Sequence, residues 1–144
     1  MVCDTLVEIL KGCDNAIGGV KKIEVRSFGS SDAYIVIEFP KEGASFSEVF
    51  AADISTGNSF VTQTLTVNVP KRDATKANSI KILGAGQRDL DIKVTDNTGG
   101  IAFMGVTRGA NLIKADSNTG SKLGDANGYI LTFEAKEPDF AVFD

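Results

Sequence analysis

Side-chain chemistry near neutral pH usually begins at a histidine or a thiolate, and this chain of 144 residues has no histidine and only two cysteines, Cys3 and Cys13. Without an imidazole there is no general base of the common kind, no cysteine–histidine pair, and almost no route to a zinc site. The serines do not compensate. A hydrolase lacking histidine needs a serine–lysine arrangement, and no serine sits in a Gly-x-Ser-x-Gly elbow. The residues therefore argue against an enzyme and against a bound cofactor or metal.

Three stretches resemble ligand loops and have simpler readings. "GAGQRDL", Gly84 to Leu90, follows an expected helix and precedes an expected strand, the reverse of the phosphate-binding order. "DSNTG", Asp116 to Gly120, and "DANG", Asp125 to Gly128, lack the twelve-residue spacing and terminal glutamate of a calcium loop, so turn chemistry accounts for both. Lys21, Lys22 and Arg26, with Lys71, Arg72 and Lys76, are scattered as on solvated faces, and no basic cluster is interleaved with stacking aromatics. A net charge of −4 and an isoelectric point near 4.8 add a mild repulsion of nucleic acid.

What remains is architecture. The length and the 42% hydrophobic content suit a single domain spanning residues 1–144 with its own core. Fifteen glycines against three prolines favour tight turns and a β-rich fold. Cys3 and Cys13 lie too close to the start to staple the body of the domain, and a chain of this size folds without a disulfide. "LKGC", Leu10 to Cys13, faintly resembles a lipoprotein box, but Asp4, Glu8 and Lys11 interrupt its apolar core, which argues against an export signal. No apolar run approaches a membrane span, so a soluble intracellular chain is expected.

Along the chain, Asp4 to Leu10 reads as a short helix closed by Gly12, and Val20 to Phe28 as a half-exposed strand. "AYIVIEF", Ala33 to Phe39, reads as a buried strand stopped by Pro40. "FSEVFAADI" leans towards strand, with Phe46 and Phe50 as core residues. Lys71 to Leu83 is the clearest helix, capped by Asp73, with Ala74, Ala77, Ile80 and Leu83 on one face and Gly84 closing it. Leu90 to Thr95 and Ile101 to Val106 form a hairpin about the turn Asp96 to Gly100. Ala115 to Gly128 is almost all loop formers, long enough to serve a function, and "YILTFEA" and "FAVFD" finish the chain as extended segments. The sum, six to eight strands, predicts a mainly β fold: a β-sandwich or open barrel with one flanking helix and a short N-terminal helix.

The longest strand, Phe60 to Val69, raises a question of placement. Val61, Leu65, Val67 and Val69 share one face, while Thr62, Thr64, Thr66 and Asn68 form a row of small neutral hydrogen-bonding groups on the other. An exposed strand usually carries lysine or glutamate against edge pairing, and none occurs here.

The segments "GCDNAIGGVKKIEV", "LDIKVTDNTGGIAFMGVTRGANLI" and "GSKLGDANGYILTFEAKEP", in the order long strand, helix, hairpin, loop and final strand, resemble the tail tube proteins of tailed bacteriophages. The resemblance implies a virion structural protein whose copies form rings, of six as a rule, that stack into a tube passing DNA without binding it specifically. It implies as partners the chain itself and other tail proteins, and as location the virion tail, after assembly in the host cytoplasm. Thr62, Thr64, Thr66 and Asn68 would then face the lumen or its wall, and Asp116, Asn118, Lys122 and Asp125 would lie in a loop between rings. A neck or tail-completion ring shares the fold. The competing class is a monomeric β-sandwich module binding carbohydrate or a host surface; it wants exposed aromatics, and the chain offers only Tyr34 and Tyr129 beside nine phenylalanines, with no tryptophan.

Overall fold

Period-two alternation dominates the chain, and in a computed structural model, which describes residues 17–84, 88–125 and 127–143, it becomes two antiparallel sheets packed face to face. The strands are β1 (Val20–Ser27), β2 (Ile35–Ile37), β3 (Ala44–Ala52), β4 (Ser59–Pro70), β5 (Leu90–Asp96), β6 (Ile101–Met104), β7 (Asn111–Asn118), β8 (Gly128–Glu137) and β9 (Val142–Phe143), with one helix, α1 (Ala74–Gly84), between β4 and β5. One sheet has the order β2-β1-β5-β6-β9, the other β3-β4-β8-β7. The expected N-terminal helix and both cysteines lie outside the described residues.

The core forms where the inward rows meet. Ile23 and Val25 of β1, Ile92 and Val94 of β5, and Met104 of β6 face Leu65 and Val67 of β4 and Leu131 and Phe133 of β8, all essentially sealed from water. At about 25 cal/mol per Å2 of apolar surface, these rows are the main force holding the sheets together.

The β5–β6 hairpin forms where the turn residues place it, with Thr95 opposite Ile101. Asp96 closes the turn by accepting from the Thr98 amide, the Thr98 hydroxyl and the Gly100 amide. Helix α1 starts later than the sequence suggests because Asp73 is its cap, accepting from the Thr75 amide at 3.4 Å. The Tyr129 hydroxyl also receives the Asp73 amide and donates to the Asp73 carbonyl, tying the helix start to β8. Ala77, Ile80 and Leu83 pack on the core, whereas Ala74 is exposed.

Several expectations need correction. Of Ala33 to Phe39 only Ile35–Ile37 forms strand, and it is an exposed edge rather than a buried strand: Ile35 is 69% exposed. Phe46 packs against the core, but Phe50 is exposed and stacks on Phe140 with ring centroids 6.2 Å apart. Ala115 to Asn118 continues β7, paired with β8 from Ala115 opposite Leu131 to Asn118 opposite Gly128, so the loop begins only at Thr119.

Candidate functional site

The threonine row lies on the outer face of the four-stranded sheet. Thr62, Thr64, Thr66 and Asn68 are half-exposed, opposite the sealed side chains of Val61, Leu65 and Val67. The register extends the row into a field. Thr64 stands between Ser47 of β3 and Glu134 of β8, and Thr66 between Ser45 and Thr132. The outward rows of β3 and β4 are thus uncharged, with hydroxyls at Ser45, Ser47, Thr62, Thr64 and Thr66, while β8 adds Thr132 but also Glu134 and Lys136 directly opposite Thr64 and Thr62, and β7 adds Lys114 and Asp116.

The lack of charge on β4 has a plainer cause than the sequence suggested. β4 is paired along its length with β3 on one side and β8 on the other, so it has no edge to protect. Among the described residues the edges of this sheet are β3 and β7. They differ in kind. β7 carries a Lys114–Asp116 ion pair at 3.4 Å. β3 shows Ser45, Ser47, Val49 and Ala51 outward, with Val49 61% exposed. Its one charged residue, Glu48, turns inward to accept from the Gln63 amide at 3.2 Å and the Ala141 amide at 2.6 Å. A nine-residue edge is left without a charge on its outer row.

The outer face of the five-stranded sheet is the opposite in character. Lys22 and Glu24 pair at 3.6 Å, and Arg26 and Asp91 at 3.3 Å. Arg26 also lies over the Tyr34 ring at 4.3 Å, and Lys93 stands 5.0 Å from the same ring and 5.9 Å from that of Phe103. Sequence reasoning found no basic residues interleaved with aromatics; folding brings two together here, but Asp91 neutralises Arg26 and Glu24 stands opposite Lys93.

Of the residues assigned to a loop, Asp116 and Asn118 belong to β7, and only Lys122 and Asp125 lie in the loop itself. Asp125 organises that loop by accepting from the Ser121 and Lys122 amides, both at 2.9 Å, and from the Ser121 hydroxyl. The Ser121 and Lys122 amides hold its carboxyl below the ordinary value. The outcome is a tip with Lys122 exposed and Leu123 wholly in solvent.

The other end of the sandwich holds two residues that sequence reasoning missed. Gln63 interrupts the inward row of β4 between Val61 and Leu65, and Glu137 ends the inward row of β8 after Phe133 and Ala135. They are 1% and 4% exposed. Both reach across to the turn after β6. Gln63 accepts from the Gly105 amide at 3.1 Å, and Glu137 Oε1 accepts from the Thr107 and Arg108 amides at 3.0 and 3.1 Å. Glu137 Oε2 is buried with no hydrogen-bond partner among the described residues. The signal was present: a polar residue in phase with an apolar alternation is either misplaced or bonded. A cavity of about 120 Å3 adjoins these groups, lined by Gln63, Glu137 and Asp139 and by the apolar Val106, Phe140 and Val142 among others.

Among the described residues no three acidic, cysteine or histidine side chains converge as metal ligands, and no helix is long and apolar enough to cross a membrane. The chain matches no family model, no curated protein and no solved structure.

Proposed function

We propose that copies of this chain join edge to edge into rings that stack into a tube, and that this tube is the DNA conduit of a tailed-phage tail. The observation that carries the reading is the four-stranded sheet, with its two long edges and the uncharged outer rows of β3 and β4. Its strands alternate in direction, so β3 and β7 run oppositely. When one copy is rotated onto the next, β3 meets the neighbour's β7 antiparallel, and the sheet continues without a fault.

Such a contact is heterologous, and it closes where the rotation closes. About six copies would join roughly 24 strands, beyond the 16–18 at which barrels already enclose an aqueous channel. The outer face of the four-stranded sheet then lines the bore, with the uncharged rows of β3 and β4 beside Glu134, Lys136, Lys114 and Asp116 of β8 and β7, and the ion-paired face of the other sheet meets solvent. With −4 per copy, six copies carry about −24, a charge that repels DNA and leaves it free to slide.

The test is assembly. Sedimentation velocity and negative-stain images across a concentration series are expected to show rings or tubes. Val49→Lys places a charge on the exposed outer row of β3 and is expected to leave a folded monomer that no longer assembles. A wild-type protein that stays monomeric at high concentration, or a Val49→Lys variant that assembles normally, overturns the reading.

A further inference from the structure

We infer that the buried Glu137 is the floor of a socket that receives the Lys122–Leu123 tip of a second copy stacked end to end. The inference rests on the reading that copies of this chain assemble, and it names the residues of the axial contact.

Glu137 supplies the first half of the argument. Its Oε1 is satisfied by two backbone amides, while its Oε2 is sealed from water and receives no donor among the described residues. A buried carboxylate oxygen without a donor is costly, by an amount comparable to losing a strong hydrogen bond. No cation of the same chain relieves it among the described residues: Arg108 and Lys136 line an adjoining cavity with Glu137, and neither forms an ion pair with it. The socket is also acidic at its rim, where Asp139 is exposed, and apolar around it, where Val106, Phe140 and Val142 are each at least half exposed. Such a site fits a cation on an apolar stem beside an apolar neighbour.

The loop supplies the second half. Lys122 has no ion-pair partner among the described residues, and Leu123 is exposed more fully than any other large apolar residue described. Asp125 fixes the backbone of the tip through the Ser121 and Lys122 amides, so little order remains to be imposed on binding. Charge matches charge and apolar surface matches apolar surface between the two sites.

Position makes the match intermolecular. β8 begins at Gly128, where the loop ends, and finishes at Glu137, nine residues or about 30 Å later. Tip and socket therefore stand at opposite ends of one sandwich and meet only between copies. The incoming side chain enters the cavity beside the exposed Phe140 and Val142, and a displacement of the atoms that cover Glu137 Oε2 lets its ammonium donate there.

The test compares full-length variants by sedimentation velocity and negative-stain imaging. Lys122→Glu, Leu123→Ser and Glu137→Gln are each expected to raise the concentration needed for stacking roughly tenfold or more, while Lys122→Arg retains stacking. Glu137→Gln keeps an acceptor for the Thr107 and Arg108 amides, and its thermal unfolding checks that the turn survives. Wild-type rings that stack, with variants that stop at single rings, support both readings. Linear chains one subunit wide that Lys122→Glu abolishes support the socket and sink the ring. Rings whose stacking ignores Lys122→Glu and Glu137→Gln sink the socket alone. A strict monomer sinks both.

Discussion

Gln63→Leu removes the polar stitch between the sheets while nearly conserving volume, and its effect can be worked from two hydrogen bonds and one burial. The Gly105 amide loses its acceptor at 3.1 Å in a buried place, at about 1–3 kcal/mol. The bond to Glu48 is also lost. That loss is discounted to about 1 kcal/mol, because Glu48 is half-exposed and keeps the Ala141 amide. Burying leucine returns about 1.5–2 kcal/mol. The net is a destabilisation of up to about 2.5 kcal/mol, centred on about 1 kcal/mol, which is a fall in Tm of roughly 3 °C for a chain of this size. Gln63→Ala forgoes the apolar gain and leaves a cavity, so about 3–5 kcal/mol is expected. Urea unfolding gives the ranking, and amide exchange gives the mechanism: protection at Gly105 falls in Gln63→Leu more than in the β5–β6 hairpin. A Gln63→Leu protein as stable as wild type, with Gly105 still protected, would refute the stitch.

Thr64→Lys with Thr66→Lys is expected to change monomer stability by about 1 kcal/mol or less, since both positions are half-exposed and the first of the two new ammonium groups would stand opposite Glu134; sedimentation is expected to show assembly lost, and normal tubes would count against a shared wall. Asp96 and Asp125 are held below the ordinary value of 3.8, Asp96 foremost by the Thr98 hydroxyl and Asp125 by the Ser121 amide. Depressed folded-state values mean that their contribution is complete above the unfolded value and fades as pH falls through the folded one. Urea midpoints are therefore expected to be flat above about pH 5 and to fall below it, less steeply in Asp96→Asn. Gly105→Ala forces a side chain into φ +74° with its Cβ 2.6 Å from the Ala110 amide nitrogen, and a loss of about 2–4 kcal/mol in denaturant titration is expected.

The sandwich was legible because alternation records which face of a strand meets the core, and the rows of β4, β5 and β8 do so without interruption apart from Gln63. What alternation does not record is a strand's neighbours. The β-branched run at Ile35–Ile37 has the composition of a central strand yet lies at a sheet edge, since propensity reflects fit to a pleated surface rather than position in the sheet. Asp116, Ser117 and Asn118 are turn formers by type, and pairing with Ile130, Tyr129 and Gly128 overrides that preference. The same blindness to neighbours makes the uncharged β4 look like an unprotected edge. Phase marks Glu48 and Glu137 as bonded but not what they bond: a glutamate in an inward phase declares its purpose only through the turn or chain segment it holds, and those lie at residues 141 and 107–108.

Symmetry links the two proposed contacts. A β3 edge satisfied by a second β3 about a two-fold axis would also be antiparallel, and it would bury the uncharged edges of two copies at once. That dimer would point one loop tip and one socket towards each end, and both of its outer edges would be β7 strands, with no free β3 left to receive them. Growth would stop at two. Rotation about a ring axis instead keeps every sandwich pointing the same way, so all Lys122 tips gather on one rim and all Glu137 sockets on the other. A ring built through β3 and β7 is the arrangement in which every copy's uncharged edge, unpaired carboxylate oxygen and exposed leucine find complements at the same time, because each feature then lies against a neighbouring copy.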